Sequence, residues 1–418
     1  MNSSARPRLS LKSPPQLSAA PFEPAQAPWI RPGVVVHEAG MRADELLAKF
    51  ALTLRQRGFQ VAGCLRFGQN GDRLLDLASN LPFEIASMGE AEAAAKRMRA
   101  AMRDEADLVV VSHFSYLEGA ARSLKATVGQ GPAQGMPVLT AITGDDIHDW
   151  LGFAGQDGSM ISPNMKNLWR WWGPERLYRD LALGVAEDEV VQIACGQRWI
   201  MVEGPHGSGL AYLPRYPKEL LPRLPGLTRR SLRQLAELSA SWDPAEMALG
   251  IAAINAHYNR LDQELPLGNG THHFTQEQGR VVAVGAFPGL GSVLPNCAVI
   301  ETDPRPGEYP TVAMDSLLPG SSAAVVNSST LINRNLPRIL RLAQGARVAM
   351  VGPSTPMTPR LHHYGVEVLG GLQITNPKGM AAAVKAGAHP KDFLNYGRFV
   401  HQRQSDEQHK PCRFLAPA

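Results

Sequence analysis

Cysteine is scarce in this chain, and the four present, Cys64, Cys195, Cys297 and Cys412, stand far apart with no C-x-x-C pair. That spacing excludes a disulfide frame and a thiolate zinc knuckle, and it reads as reduced thiols of a cytoplasmic protein. Long hydrophobic runs are also missing: none approaches the ~20 residues that a membrane helix needs, so no membrane partner is expected. Residues 1–32 hold Arg6, Arg8 and Lys12 among many Pro, Ser and Ala. With no apolar h-region, they read as a disordered tail and not as a secretory signal. Charge of one sign is in short supply too. Against 42 basic residues stand 38 acidic ones, a net +4 with no dense basic stripe, which argues against nucleic acid as a partner. The chain has no G-x-x-x-x-G-K-[ST], no HExxH, no nucleophile elbow and no Ser/His/Asp signature, so the sequence names no reaction.

What is present fits a soluble α/β protein. A length of 418 residues calls for two or three domains, and 44% hydrophobic with 19% charged residues is ordinary for a globular chain. Apolar strands are expected at 34–36, 61–67, 108–111 and 137–142, with helices between them at 43–57, 91–103 and 117–125. That alternation implies a mostly parallel sheet covered on both faces, assigned to residues 33–154. A stretch at 155–173, crowded by Trp169, Trp171 and Trp172, breaks the pattern and reads as a linker pinned by aromatic packing.

Residues 174–260 change class to a small α+β unit. It contains a helix at 175–183, short strands at 190–195, 199–202 and 210–212, and a helix from 244 to about 258. The last opens with Asp243 as N-cap, Pro244 at the first helical position and Glu246 closing a capping box. The α/β alternation returns over 261–402, where strands end in Gly285, Glu301, Asn327 and Gly352. Residues 403–418 read as a polar tail.

In an open α/β sheet, ligands bind beyond the carboxyl ends of the strands, where strand order reverses. That rule collects Gly285, Phe287 and Pro288; Glu301; Asn327, Ser328, Ser329, Thr330 and Asn333; and Gly352, Ser354 and Thr355. Small polar residues and glycines let a ligand approach the backbone and offer N–H and O–H donors. Ser354 and Thr355 also precede a helical segment at 357–364, whose N-terminus would favour an anion. Glu301 ends the second strand of this unit, where an acidic residue holds a ribose in dinucleotide folds. Gly285, Gly289 and Gly291 do not have the G-x-G-x-x-G spacing, however. Asp145 and Asp146, after the fourth amino-terminal strand, read as a solvated turn. Two histidine pairs, His272-His273 and His362-His363, are the candidate metal ligands, although neighbours on a regular strand or helix point apart.

The stretches 241–244, 250–255, 328–333 and 351–356, with Gly365 and Gly370-Gly371, resemble the heavy-metal chelation family. The resemblance spans about 174–395 and implies an enolase-N-like α+β unit joined to a Rossmann-like parallel-sheet domain. Arg334-Asn335 departs from the small Gly-Thr-like pair expected after Asn333. Residues 33–154, through 107–119 and 137–141, resemble a P-loop-NTPase-like family associated with molybdenum transport and nitrogen-fixation genes. Its phosphate loop would be 37–42, which has one glycine and no lysine, so the resemblance implies a degenerate P-loop-like α/β domain. Together these imply a cytoplasmic protein that binds a metal, a metal oxyanion such as molybdate or a metal chelate, in metal homeostasis or metallocofactor supply. The ligand is expected between the α+β unit and the Rossmann-like sheet, within reach of Asn255. The expected partner is a small anionic or metal ligand, with a homo-oligomer left open. The alternatives are an enzyme acting on a small anionic or nucleotide-like metabolite, with Glu301 and 328–330 as working groups, and a scaffold that recruits a partner.

Overall fold

A computed structural model of the chain describes residues 32–67, 73–79, 82–83, 96, 106–112, 137–154 and 158–404. The two tails, and the helices expected at 91–103 (Lys96 apart) and 117–125, lie outside the described residues. No helix among the described residues is long and apolar enough to cross a membrane.

The amino-terminal sheet holds β1 (Gly33–His37), β2 (Val61–Phe67), β3 (Arg73–Asp76), β4 (Pro82–Phe83), β5 (Leu108–Val111), β6 (Val138–Thr143) and β7 (Ser159–Ile161). Their order is β4-β3-β2-β5-β6-β1-β7, parallel from β2 to β7, with β3 and β4 added antiparallel at one edge. The apolar runs are buried on both faces, as parallel strands under helices must be. Helix Ala43–Gln56 buries Leu47, Phe50, Ala51 and Leu54. The chain then forms helix Met165–Trp172, capped by the Asn164 side chain on the Asn167 N–H. Trp169 and Trp172 pack edge-on against Phe50 with ring centres 5.4 and 6.3 Å apart, and Trp169 also meets Tyr364 at 5.4 Å. The tryptophans of 155–173 therefore join the first sheet to the carboxy-terminal part.

The middle unit begins with a turn at Pro174–Arg176 and helix Leu177–Leu183. It continues with an antiparallel sheet of β8 (Gln192–Cys195), β9 (Trp199–Glu203) and β10 (Ser208–Tyr212). Helix Pro244–Tyr258 packs across β9 and β10 and is apolar nearly all round, which matches its burial on every side. Asp243 caps it by accepting from the Ala245 and Glu246 N–H groups. The capping box expected from Glu246 is not formed. The Ser241 hydroxyl takes the Asp243 N–H, and the Glu246 carboxylate turns to Ser241 Oγ and Arg223 instead.

The last sheet holds β11 (Val281–Val284), β12 (Ala298–Glu301), β13 (Tyr309–Pro310), β14 (Ala323–Asn327), β15 (Arg347–Val351), β16 (Val368–Ile374) and β17 (Gly397–Arg403), in the order β13-β12-β11-β14-β15-β16-β17. All pairings are parallel except β16 with β17. The chain grows outward in one direction from β11 to β13 and in the other from β14, so the switch point lies between β11 and β14. The mixed α/β architecture with a Rossmann-like sheet is as the sequence implies. One apolar core runs from the first sheet through helix Pro244–Tyr258 to one face of the last sheet, while the opposite face of that sheet has its own core around Phe274 and Leu290.

Candidate functional site

The four loops beyond β11, β12, β14 and β15 do meet at the switch point. Glu301 Oε1 accepts from the Ala286 N–H and Oε2 from the Thr302 N–H, while Asn327 Nδ2 donates to the Ala286 carbonyl. Gly285 sits at φ 82°, and a Cβ there would lie 2.7 Å from Asn327 Cβ, so only glycine fits this approach. Asn327 Oδ1 accepts from the Ser329 N–H, and its carbonyl from Thr330 Oγ1. Ser328 Oγ accepts from the Ser354 N–H, and Asn333 Oδ1 from the Asn335 N–H. Much of the polar chemistry of these loops is thus spent on tying them to one another. Phe287 is half-buried, Pro288 exposed, and Gly352 lies beside Ser328.

Ser354 and Thr355 face the middle unit. The Tyr212 N–H donates to Ser354 Oγ, and Asn259 Nδ2 donates to the Thr355 carbonyl. The helix expected after them is a 3-10 turn, Pro359–Tyr364, capped by Thr358, so neither residue stands at a helix N-terminus. Asn255 is fully buried with Nδ2 on the Leu210 carbonyl; its Oδ1 and Thr355 Oγ1 have no hydrogen-bond partner. Arg334 explains the departure noted beside Asn333. It is the one non-glycine at positive φ among the described residues, and its guanidinium, over the rings of Tyr178 and Trp242, binds the Ser239 and Ser241 carbonyls.

The two histidine pairs behave differently. His362 is buried with Nδ1 2.7 Å from the Val366 carbonyl, whereas His363 turns to the amino-terminal domain and takes Arg57 Nη2 at 2.7 Å. His272 and His273 lie in a 3-10 turn, Thr271–Phe274, where the expected divergence of neighbours does not hold. Their ring centres are 4.1 Å apart, tilted by 38°. On β17, His401 stands 5.0 Å from the His272 ring and 5.3 Å from that of His273. One ligand atom from each of the three lies within 4.8 Å of the others. His401 is 7% exposed, and its Nδ1 is buried with no hydrogen-bond partner.

Local structure makes this convergence possible. A Cβ at Gly370, opposite His401 on β16, would lie 2.1 Å from the Asn269 carbonyl oxygen. A Cβ at Gly371, on the other face, would lie 2.7 Å from Met357 Sδ. The double glycine therefore lets the chain leading into the histidine turn cross one face of β16 while the loop after β15 closes on the other. Burial, then the neighbouring His272, lowers the pKa of both His273 and His401, which favours neutral, ligand-competent imidazoles. His401 was not among the residues singled out from sequence. The signal was the alternation of Phe399, His401 and Arg403 against buried Val400 just before the polar tail.

Residues 178–258 and 271–403 match two protein-family models, each described as "Putative heavy-metal chelation". This part of the chain belongs to those chelation families. Residues 33–171 match a family described only as a protein of unknown function. A curated relative, "Molybdenum import ATP-binding protein ModC 2" of Bradyrhizobium diazoefficiens, is 26% identical over 174 residues. The match covers 37% of this chain and 19% of that protein. Two solved proteins of unknown function are similar over 55% of the chain. One, from Desulfitobacterium hafniense, is 28% identical with a TM-score of 0.49 over 97% of its length. The other, from Pyrococcus horikoshii, is 22% identical with a TM-score of 0.47 over 98% of its length.

All three imidazoles fall inside the chelation-family match at 271–403. Neutral imidazole suits borderline ions such as zinc, copper, cobalt and nickel better than magnesium or calcium, which prefer oxygen donors. The donor set fits a metal.

Proposed function

We propose that this protein binds a divalent transition-metal ion through His272, His273 and His401, as cargo or as a sensed ligand, in cytoplasmic metal homeostasis or metallocofactor supply. The observation that carries the reading is the convergence of three imidazoles from two distant segments of the chelation-family region, one with a buried, unpartnered nitrogen. Molybdenum enters from elsewhere. The resemblance of residues 33–154 points to genes of molybdenum transport, and the printed name of the Bradyrhizobium relative speaks of molybdenum import. As an oxyanion, molybdate would meet the protein as an anion and not as an imidazole-bound cation.

The test is elemental analysis of the full chain after incubation with zinc or cobalt and exhaustive dialysis. Stoichiometric retention is expected in the natural protein and loss of it when His272 and His401 are both replaced by alanine. Equal retention by both proteins would remove the reading.

A further inference from the structure

Among the described residues, the triad supplies three neutral donors and no negative charge, for neither a carboxylate nor a thiolate belongs to the cluster. Its charged neighbours among the described residues are already matched. Arg347 pairs with Glu277 and Glu367, and Arg403 pairs with Glu367. A dication bound here would thus bring two positive charges that no free carboxylate of the described cluster offsets, beside a histidine that is 7% exposed. Uncompensated charge next to a buried group is costly, and a counter-ion is the direct remedy.

The geometry provides a way in for one. His272 is exposed and His273 half-buried, so the side of the cluster away from His401 opens to solvent. Three protein ligands leave at least one position of a tetrahedral ion for a group from outside. Arg403 lies two residues from His401, on the same face of β17, and its side chain is 53% exposed.

We infer that the triad takes its metal together with an anionic ligand that fills the remaining coordination position, so that the protein recognises a metal–anion complex and not the bare ion. This rests on the reading of the triad as a metal site and goes beyond it by naming the second component. By linkage, the anion must then tighten the metal by the same factor by which the metal tightens the anion.

Cobalt(II) tests this, because its visible absorption reports its ligands. The full chain loaded with Co2+ is titrated separately with azide and with molybdate, the first reporting an open position in general and the second a preference for oxyanions. A saturable change of the visible band is expected with at least one of them. Co2+ affinity should be about tenfold tighter at saturating anion. Both effects should vanish in His272→Ala, which alters an exposed side chain, and in His401→Ala. Co2+ held by the triad with a spectrum and an affinity indifferent to both anions overturns the inference while leaving the metal site standing. Absence of Co2+ uptake by the natural protein overturns both.

Discussion

Arg57, at the end of the first long helix, pairs with Asp180 in the middle unit, and both are buried. Asp180 also accepts from Arg360 at 2.6 Å and from the Tyr364 hydroxyl at 2.9 Å, so three segments of the chain share one carboxylate. The Arg57 guanidinium lies 4.7 Å from the centre of the Trp169 ring. Removing Asp180 leaves two guanidinium groups uncompensated in a buried place, which costs about 3–5 kcal/mol. Asp180→Ala should therefore lower the urea midpoint by a corresponding amount at unchanged m-value. A change within experimental error would show that the pair is not what joins the domains.

The same knot bears on whether the parts fold separately. A fragment beginning at Pro174 keeps the contacts of Asp180 with Arg360 and Tyr364 but loses Arg57, Trp169 and Trp172. We expect it to fold, with a lower melting temperature than the whole chain. Circular dichroism of the fragment decides: an unfolded spectrum would mean that the amino-terminal sheet is part of its core.

Gly370 offers a way to disturb the triad without touching a ligand. A Cβ there meets the Asn269 carbonyl oxygen at 2.1 Å, so Gly370→Ala must push the His272-His273 turn away from His401. Overpacking of this kind costs about 1–3 kcal/mol. Metal affinity should fall at least about tenfold, since that cost comes to bear on the bound geometry. Unchanged affinity, measured by calorimetry on a variant of native circular dichroism, would detach the triad from the metal.

His362 sets an acid limit on stability. Burial lowers its pKa, with the Val366 carbonyl and Glu367 pulling the other way. Its Nε2 is buried and has no hydrogen-bond partner, so a proton there would find no acceptor. Since the folded-state pKa lies below the unfolded value of about 6.5, this contribution is fully present above pH ~6.5 and is lost as pH falls through the folded pKa. Urea midpoints between about pH 8 and 5 should be level at first and then decline, and His362→Gln should flatten the decline. A midpoint that rises on acidification would contradict this assignment.

The strands most legible in the sequence are those with continuous apolar runs. Val281–Val284, Ala323–Asn327 and Arg347–Val351 form where the sequence places them, and their loops meet at the switch point as the rule for open sheets requires. Short or mixed strands escape the same reading. Gly397–Arg403 buries only Val400 and His401 and mixes polar with apolar residues, so it looks like the start of a tail. That strand carries His401. The pairing of His272 with His273 was illegible for another reason: neighbours on regular elements diverge, and nothing in the sequence shows that these two rings come within 4.1 Å of each other in the turn Thr271–Phe274. The resemblance motif Gly370-Gly371 was visible as a pattern, but its reason, close approach of chain on both faces of one strand, exists only in three dimensions.

The central claim is that metal is held by the three histidines and not by the loops at the switch point. Calorimetric titration of zinc into the full chain, into His401→Ala and into Glu301→Gln tests it most directly. Glu301 belongs to the loop cluster, where its carboxylate accepts from the Ala286 N–H, and lies outside the triad. We predict saturable binding to the natural protein, the same binding to Glu301→Gln, and a loss of at least about a hundredfold, or about 2.7 kcal/mol, in His401→Ala. Full-strength binding to His401→Ala, with loss in Glu301→Gln, would contradict the account and place the site in the loops.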